Sequence, residues 1–152
     1  MEKARQYYQD GVDEMVFYDI NASRSNQDIK LKFVEAVAAQ IFIPFSVGGG
    51  IRSIEDATKL RLAGAEKINI NSAAVQRKEL ISEISGAIGA QSTVLSMDVK
   101  KTGKTKEIPS GYEIVINAGT VATGLDAIEW AKNGEKLGAG ELVVNSIDAD
   151  GT

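Results

Sequence analysis

Asp98 closes the apolar run Val94-Leu95-Ser96-Met97, where a carboxylate is a candidate for acid–base work. An Asx turn or a helix cap would put an aspartate in the same place. Upstream, Phe45-Ser46-Val47 runs into Gly48-Gly49-Gly50 and then a capped helix. Glycines let backbone N–H groups approach an oxyanion closely, and the next helix adds its positive end, so Gly49 and Gly50 predict a phosphate cradle. A flexible loop without a ligand is the plain alternative. Asn71-Ser72 repeats the geometry one unit later, although Asn and Ser are also ordinary N-caps. Ser146 to Thr152, with Asp150 and Gly151, offers turn residues and hydroxyls at another strand end, as a surface turn would. Gly103-Lys104-Thr105 has the form of the end of a Walker A loop, but the glycine needed five residues earlier is Asp98, which rules it out. Glu14, Lys67 and Glu141 fall at strand starts. Lone charges there are usually solvated, while three of opposite sign on one rim can form an ion-pair ring.

Histidine and cysteine are both absent. That removes disulfides, thiol nucleophiles, Cys/His zinc sites and imidazole catalysis. Proton transfer must rest on Asp, Glu, Lys or Tyr, and neither metal nor cofactor is expected. The 17 basic and 21 acidic residues give a net charge of −4, and no Lys/Arg-rich block stands out. Nothing therefore marks a nucleic-acid or membrane-surface partner. A chain of this sign binds phosphate locally, through backbone amides. No apolar run approaches the ~20 residues of a membrane span. MEKARQYYQDG is a polar helical pattern rather than a signal peptide, so cytoplasmic is the default.

The elements that must position these residues alternate between helix and short apolar strand. Ala4, Tyr7 and Tyr8 sit at helical spacing before Gly11, and Met15 to Ile20 reads as a buried strand ending near Asp19. Ile29, Phe33, Val34 and Val37 form a helical stripe, followed by the Phe45-Ser46-Val47 strand. Ser53 caps a helix ending at Gly64, and Lys67 to Asn71 is the next strand. Leu80, Ile81, Ile84 and Ile88 mark a helix closed by Gly89. Thr93 to Asp98 is a strand, Leu125 to Leu137 a helix and Glu141 to Ile147 the last strand. Lys100 to Thr123, with turn signals at Gly103 and Pro109-Ser110-Gly111, reads as a hairpin-like excursion. The sequences at Gly11, Gly64 and Gly138 echo one another between helix end and strand start, as repeated βα units require. Five strands and five helices result, in a single domain spanning residues 1–152 that reads as truncated at both ends. The strand ends Asp19, Gly48, Asn71, Asp98 and Asp148 fall on one rim, where parallel β/α folds gather their ligand chemistry.

These segments, in this order, resemble the cyclase subunit of imidazole glycerol phosphate synthase. The resemblance runs through Asp13 to Ser23, Val47 to Ile51, Asn69 to Val75, Ser96-Met97-Asp98, Thr123 to Trp130 and Gly138 to Thr152. It covers the family's first helix through its sixth strand and implies a partial TIM (βα)8-barrel with five parallel strands. It also implies a reaction of histidine biosynthesis. Ammonia from a glutaminase subunit reacts with a formimino-linked bis-phosphate ribonucleotide, giving imidazole glycerol phosphate and an aminoimidazole carboxamide ribonucleotide. In the family two aspartates share the acid–base work. Asp98 matches one, and the other lies on a strand these residues do not include. Gly49, Gly50, Asn71 and Ser72 match one phosphate site, Asp150 and Gly151 match part of the other, and Asp19 joins the substrate-binding residues. Glu14, Lys67 and Glu141 match three of four charged residues gating the ammonia passage. Two departures stand out: Asn117 to Gly124 lacks a basic residue common in the family, and Asn145 replaces a common Thr. The sister phosphoribosyl-formimino isomerase shares the fold and the glycine loop, but Asn71-Ser72-Ala73-Ala74 and Phe17-Tyr18-Asp19-Ile20 favour the cyclase. A non-catalytic phosphate-binding fragment is the alternative of another class. Open sheet edges predict a homo-oligomer.

Overall fold

The computed structural model describes residues 2–19 and 31–149. The readings placed on Ile20 to Ser23, Ile29, Asp150 and Gly151 lie outside the described residues. Helix α1 (Glu2–Gln9) leads into strand β1 (Met15–Tyr18), and α2 (Leu31–Ala38) into β2 (Phe45–Gly48). Next come α3 (Ile54–Leu62), β3 (Lys67–Ile70), a short α4 (Ser72–Gln76), α5 (Glu79–Ile88) and β4 (Thr93–Lys101). A hairpin, β5 (Tyr112–Ile116) and β6 (Val121–Asp126), precedes α6 (Ala127–Lys136) and β7 (Glu141–Ser146). Among the described residues no helix is long and apolar enough to cross a membrane.

The parallel strands run β1-β2-β3-β4-β7, forming a partial barrel-like sheet. β2 and most of β3 and β4 are buried on both faces, with Ser46, Asn69 and Ser96 as buried polar residues among apolar ones. Their outward residues meet the helices. Ile68, Ile70 and Leu95 are fully buried, as are Leu60, Ile81 and Ile84 of α3 and α5. Each such side chain contributes about 1.5–3 kcal/mol. On β1, the Phe17 ring packs 4.6 Å from that of Phe33 on α2. Gly134 of α6 leaves the room that Leu95 fills, since a Cβ there would sit 2.3 Å from Leu95 Cδ2.

The echoed glycines build one motif three times. Gly11, Gly64 and Gly138 each donate to the carbonyl three residues back, on Tyr8, Arg61 and Glu135. Val12, Ala65 and Ala139 each donate to the carbonyl five back, on Tyr7, Leu60 and Gly134. This is the Schellman closure of a helix, and each copy turns the chain into the next strand.

β1 stops at Tyr18 and, unlike the buried strand read from the sequence, has no fully buried residue, and four other boundaries differ, each for a local reason. β4 continues three residues past Asp98, because Asp98 to Lys101 pair antiparallel with Val115 to Tyr112. Asp98 and Val99 also pair with β7, so β5 lies on the β3 side of β4, beyond the end of β3. Leu125 belongs to β6 rather than to a helix. Asp126 is the N-cap, accepting from Ile128 and Glu129 N–H at 3.0 and 3.2 Å. Asn71-Ser72 opens the extra helix α4, which ends at the extended Arg77. The last strand stops at Ser146, where a single 3-10 turn, Ile147–Ala149, takes over.

Candidate functional site

Residues on the inner face of the sheet recur every second position, and the period carries polar groups through an otherwise apolar barrel wall. At the N-terminal ends of the strands, Lys67 Nζ reaches both carboxylate oxygens of Glu14 at 3.0 Å and Glu141 Oε2 at 2.8 Å. The hydrogen bonds to Glu141 and Glu14 hold the Lys67 ammonium above its ordinary pKa, against the small opposing cost of burial. The three strand-start charges thus form an ion-pair cluster.

One layer further along, the Tyr18 hydroxyl and Ser96 Oγ share a hydrogen bond of 3.0 Å. Asn69 Nδ2 donates to Tyr18 at 3.2 Å and to Ser46 Oγ at 3.4 Å. Burial pushes the Tyr18 phenol above its usual pKa. The Ser96 hydrogen bond opposes the rise, while the Asp98 and Glu141 charges add to it. The phenol therefore stays protonated near neutrality and is a hydrogen-bonding group rather than a base.

At the C-terminal ends a cavity of about 990 Å³ opens. Asp19, Gly49, Gly50, Asn71, Ser72 and Asp98 all border it, so six of the sequence-derived candidates meet in one space. Asp98 is half-buried and clamped: Asn71 Nδ2 donates to Oδ2 at 3.0 Å and Asn145 Nδ2 to Oδ1 at 3.1 Å. Each carboxylate oxygen thus has one amide donor, from the strand on either side.

The glycine loop is fixed rather than loose. Gly49 has φ 97°, and a Cβ there would lie 2.3 Å from the Asp19 carbonyl oxygen. Asp19 N–H donates to the Gly48 carbonyl at 3.0 Å, and a Cβ on Gly48 would strike the Tyr18 ring at 2.5 Å. Across the cavity, Ser72 Oγ accepts from Asn117 N–H at 3.3 Å, tying the β5–β6 turn to the start of α4. Asn117 and Ala118 hold that turn with φ 53° and 55°, the left-handed region that non-glycine residues rarely adopt.

Tyr18, Asn69, Ser96 and Asn145 were not among the sequence-derived site residues, yet all four border the cavity. Their signal was in the sequence: Asn69 and Ser96 stand two residues before Asn71 and Asp98, on the same face of a buried strand. Among the described residues no group of carboxylates is placed to hold a metal ion.

Comparison with known proteins gives the family to which this fold belongs. The family model described as histidine biosynthesis protein matches residues 1–152. Imidazole glycerol phosphate synthase subunit HisF of Nitratidesulfovibrio vulgaris (strain DP4) is 58% identical over 149 residues, 98% of this chain and 58% of that protein. The HisF subunit of Desulfatibacillum aliphaticivorans is 57% identical over 152 residues, all of this chain and 58% of that protein. That of Desulfovibrio desulfuricans (strain ATCC 27774 / DSM 6949 / MB) is 59% identical over 152 residues, covering 59% of that protein. The chain thus spans 58–59% of the length of these curated relatives. With the α/β barrel-like sheet and a family match over its whole length, the chain belongs to the histidine biosynthesis protein family.

Proposed function

We propose that the chain supplies substrate-binding and acid–base residues of an imidazole glycerol phosphate synthase cyclase. The observation that carries this reading is the clamped Asp98 facing Gly49, Gly50 and Ser72 across one cavity. Backbone amides of the glycine loop and of the α4 start bind one phosphate of the ribonucleotide. Asp98 moves a proton at the reacting end, held in orientation by Asn71 and Asn145. Asp150 and Gly151 contribute to the second phosphate site. The Glu14–Lys67–Glu141 cluster, at the opposite end of the strands, is the gate through which ammonia enters from a glutaminase subunit. Tightly bonded to each other, these three charges present no free cation to the passage.

The phosphate half of the reading is tested by titrating inorganic phosphate into the chain and following backbone amides by NMR. Saturable shifts are expected first at Gly49, Gly50 and Ser72. No saturable shift at these three amides would defeat the cradle.

A homo-oligomeric, cytoplasmic form belongs to the same reading. Among the described residues β1 pairs only with β2, and β7 only with β4. Val16, Leu142 and Val144 on these edge strands are 43%, 40% and 60% exposed. Unpaired edges with apolar side chains recruit other strands. Light scattering of the 152-residue chain should therefore give a dimer or larger species, and a clean monomer at high micromolar concentration would refute this.

A further inference from the structure

The sequence from Lys100 to Glu107 holds four of the chain's 17 basic residues and one of its 21 acidic ones. The segment is therefore +3 while the remainder of the chain is −7, a contrast that whole-chain composition averages away. Lys100, Lys101, Lys104 and Lys106 are all exposed, and none forms an ion pair among the described residues.

The neighbouring carboxylates Asp148, Glu113 and Asp126 accept backbone N–H groups rather than pairing with the lysine side chains. Asp148 accepts from Lys101 N–H at 2.7 Å, Glu113 from Gly124 N–H at 2.7 Å and Asp126 from Ser110 N–H at 2.8 Å. The segment is also built rather than slack. Thr102 and Gly103 N–H both donate to the Gly111 carbonyl, Thr105 N–H donates to Ile108, and Ile108 is buried.

The lysines stand just beyond the cavity. Lys100 follows Asp98 by two residues on the same face of β4. Lys101, three residues on, lies about 10 Å further along the strand than Asp98 at the usual rise. That is close to the screening length of about 8 Å at physiological ionic strength.

We propose that Lys100, Lys101, Lys104 and Lys106 form a cationic collar that steers polyanionic sugar phosphates into the cavity. The proposal rests on the reading of the cavity as a phosphate site. It adds a rate-determining surface that the cradle itself does not contain. In a net-negative protein, a local positive rim turns repulsion of a bis-phosphate into capture. Such steering acts on association rates and fades with salt.

The test compares the chain with the variant K100Q/K101Q/K104Q/K106Q, using fructose 1,6-bisphosphate as the probe and NMR line-shape analysis for rates. All four side chains are exposed, and circular dichroism verifies that the variant folds. At an ionic strength of about 10 mM the variant should associate about tenfold more slowly, with dissociation unchanged, and near 150 mM the two proteins should converge. The saturated shifts at Gly49, Gly50 and Ser72 should be the same in both. Equal association rates at low salt would overturn the collar while leaving the cradle intact. A change confined to dissociation would overturn it too, making the lysines binding contacts. Tighter binding of a single-stranded oligonucleotide than of the bis-phosphate, lost in the variant, would replace the collar with a nucleic-acid surface. Absence of the glycine-loop shifts in both proteins would instead remove the phosphate site on which it depends.

Discussion

Purified as these 152 residues, the chain is expected to form product from the family's ribonucleotide and ammonia at background rate, and Asp98→Asn to change nothing measurable. The reaction needs a proton removed and a proton donated at separate points. With no histidine or cysteine in the chain and the Tyr18 phenol held protonated, carboxylates are the groups at the right strand ends. On the proposed reading Asp98 fills one role, and the family's other aspartate has no counterpart among these residues. One positioned acid or base is worth about 10²–10⁴-fold, so its lack alone takes the rate to near background. Incomplete donors at the second phosphate site loosen positioning as well, a further large loss. The check is a coupled assay of product with saturating ammonia. Robust turnover abolished by Asp98→Asn would overturn the expectation, and Asp19, on the same cavity, would be the first candidate for the second carboxylate.

Gly49→Ala should cost about 2–4 kcal/mol in stability, a loss in the range of backbone strain combined with a core clash. It should also weaken phosphate binding at least tenfold. Two terms act together. An alanine must take φ 97°, and its Cβ must displace a backbone carbonyl oxygen 2.3 Å away on Asp19. Backbone cannot swing aside as a flexible side chain end can, so the β1–β2 contact opens and the amides of the loop lose their aim. Gly11→Ala is the control. Its φ is 84° with nothing within 4 Å, so it carries only the conformational penalty, about 1 kcal/mol. Urea midpoints for both variants, beside phosphate titrations, separate the terms. If Gly49→Ala costs no more than Gly11→Ala, the loop is not held by Asp19 and the fixed cradle fails.

Much of this was legible in the residues. The βα alternation, the turn glycines and the rim of polar strand ends follow from local pattern, because helix closure and period-two burial are written in a few neighbouring positions. The hairpin excursion was visible through Pro109-Ser110-Gly111. What escaped depends on partners distant in sequence. That Asn145 clamps Asp98 requires β7 to lie beside β4 in one register, and this pairing joins residues 47 apart. Asn69, Tyr18 and Ser96 meet only because the sheet brings three different strands into one layer. The length of β4 past Asp98 depended likewise on β5, which no local signal in Val99-Lys100-Lys101 announces. The lysine collar was overlooked for the opposite reason: it is wholly local, but a net charge of −4 conceals it.

The two clamps on either side of β4 are rungs of one ladder. Lys67 bonds Glu141 at the lower rung, and Asn71 and Asn145, each four residues further on, grip Asp98 at the upper one. A slip of β7 by one residue would turn Glu141 and Asn145 to the outer face together, losing β7's bond in each rung at once. Alignment at the two mouths of the half-barrel is thus a single all-or-none quantity. The salt link at the floor keeps the carboxylate at the ceiling in register across about 13 Å of strand.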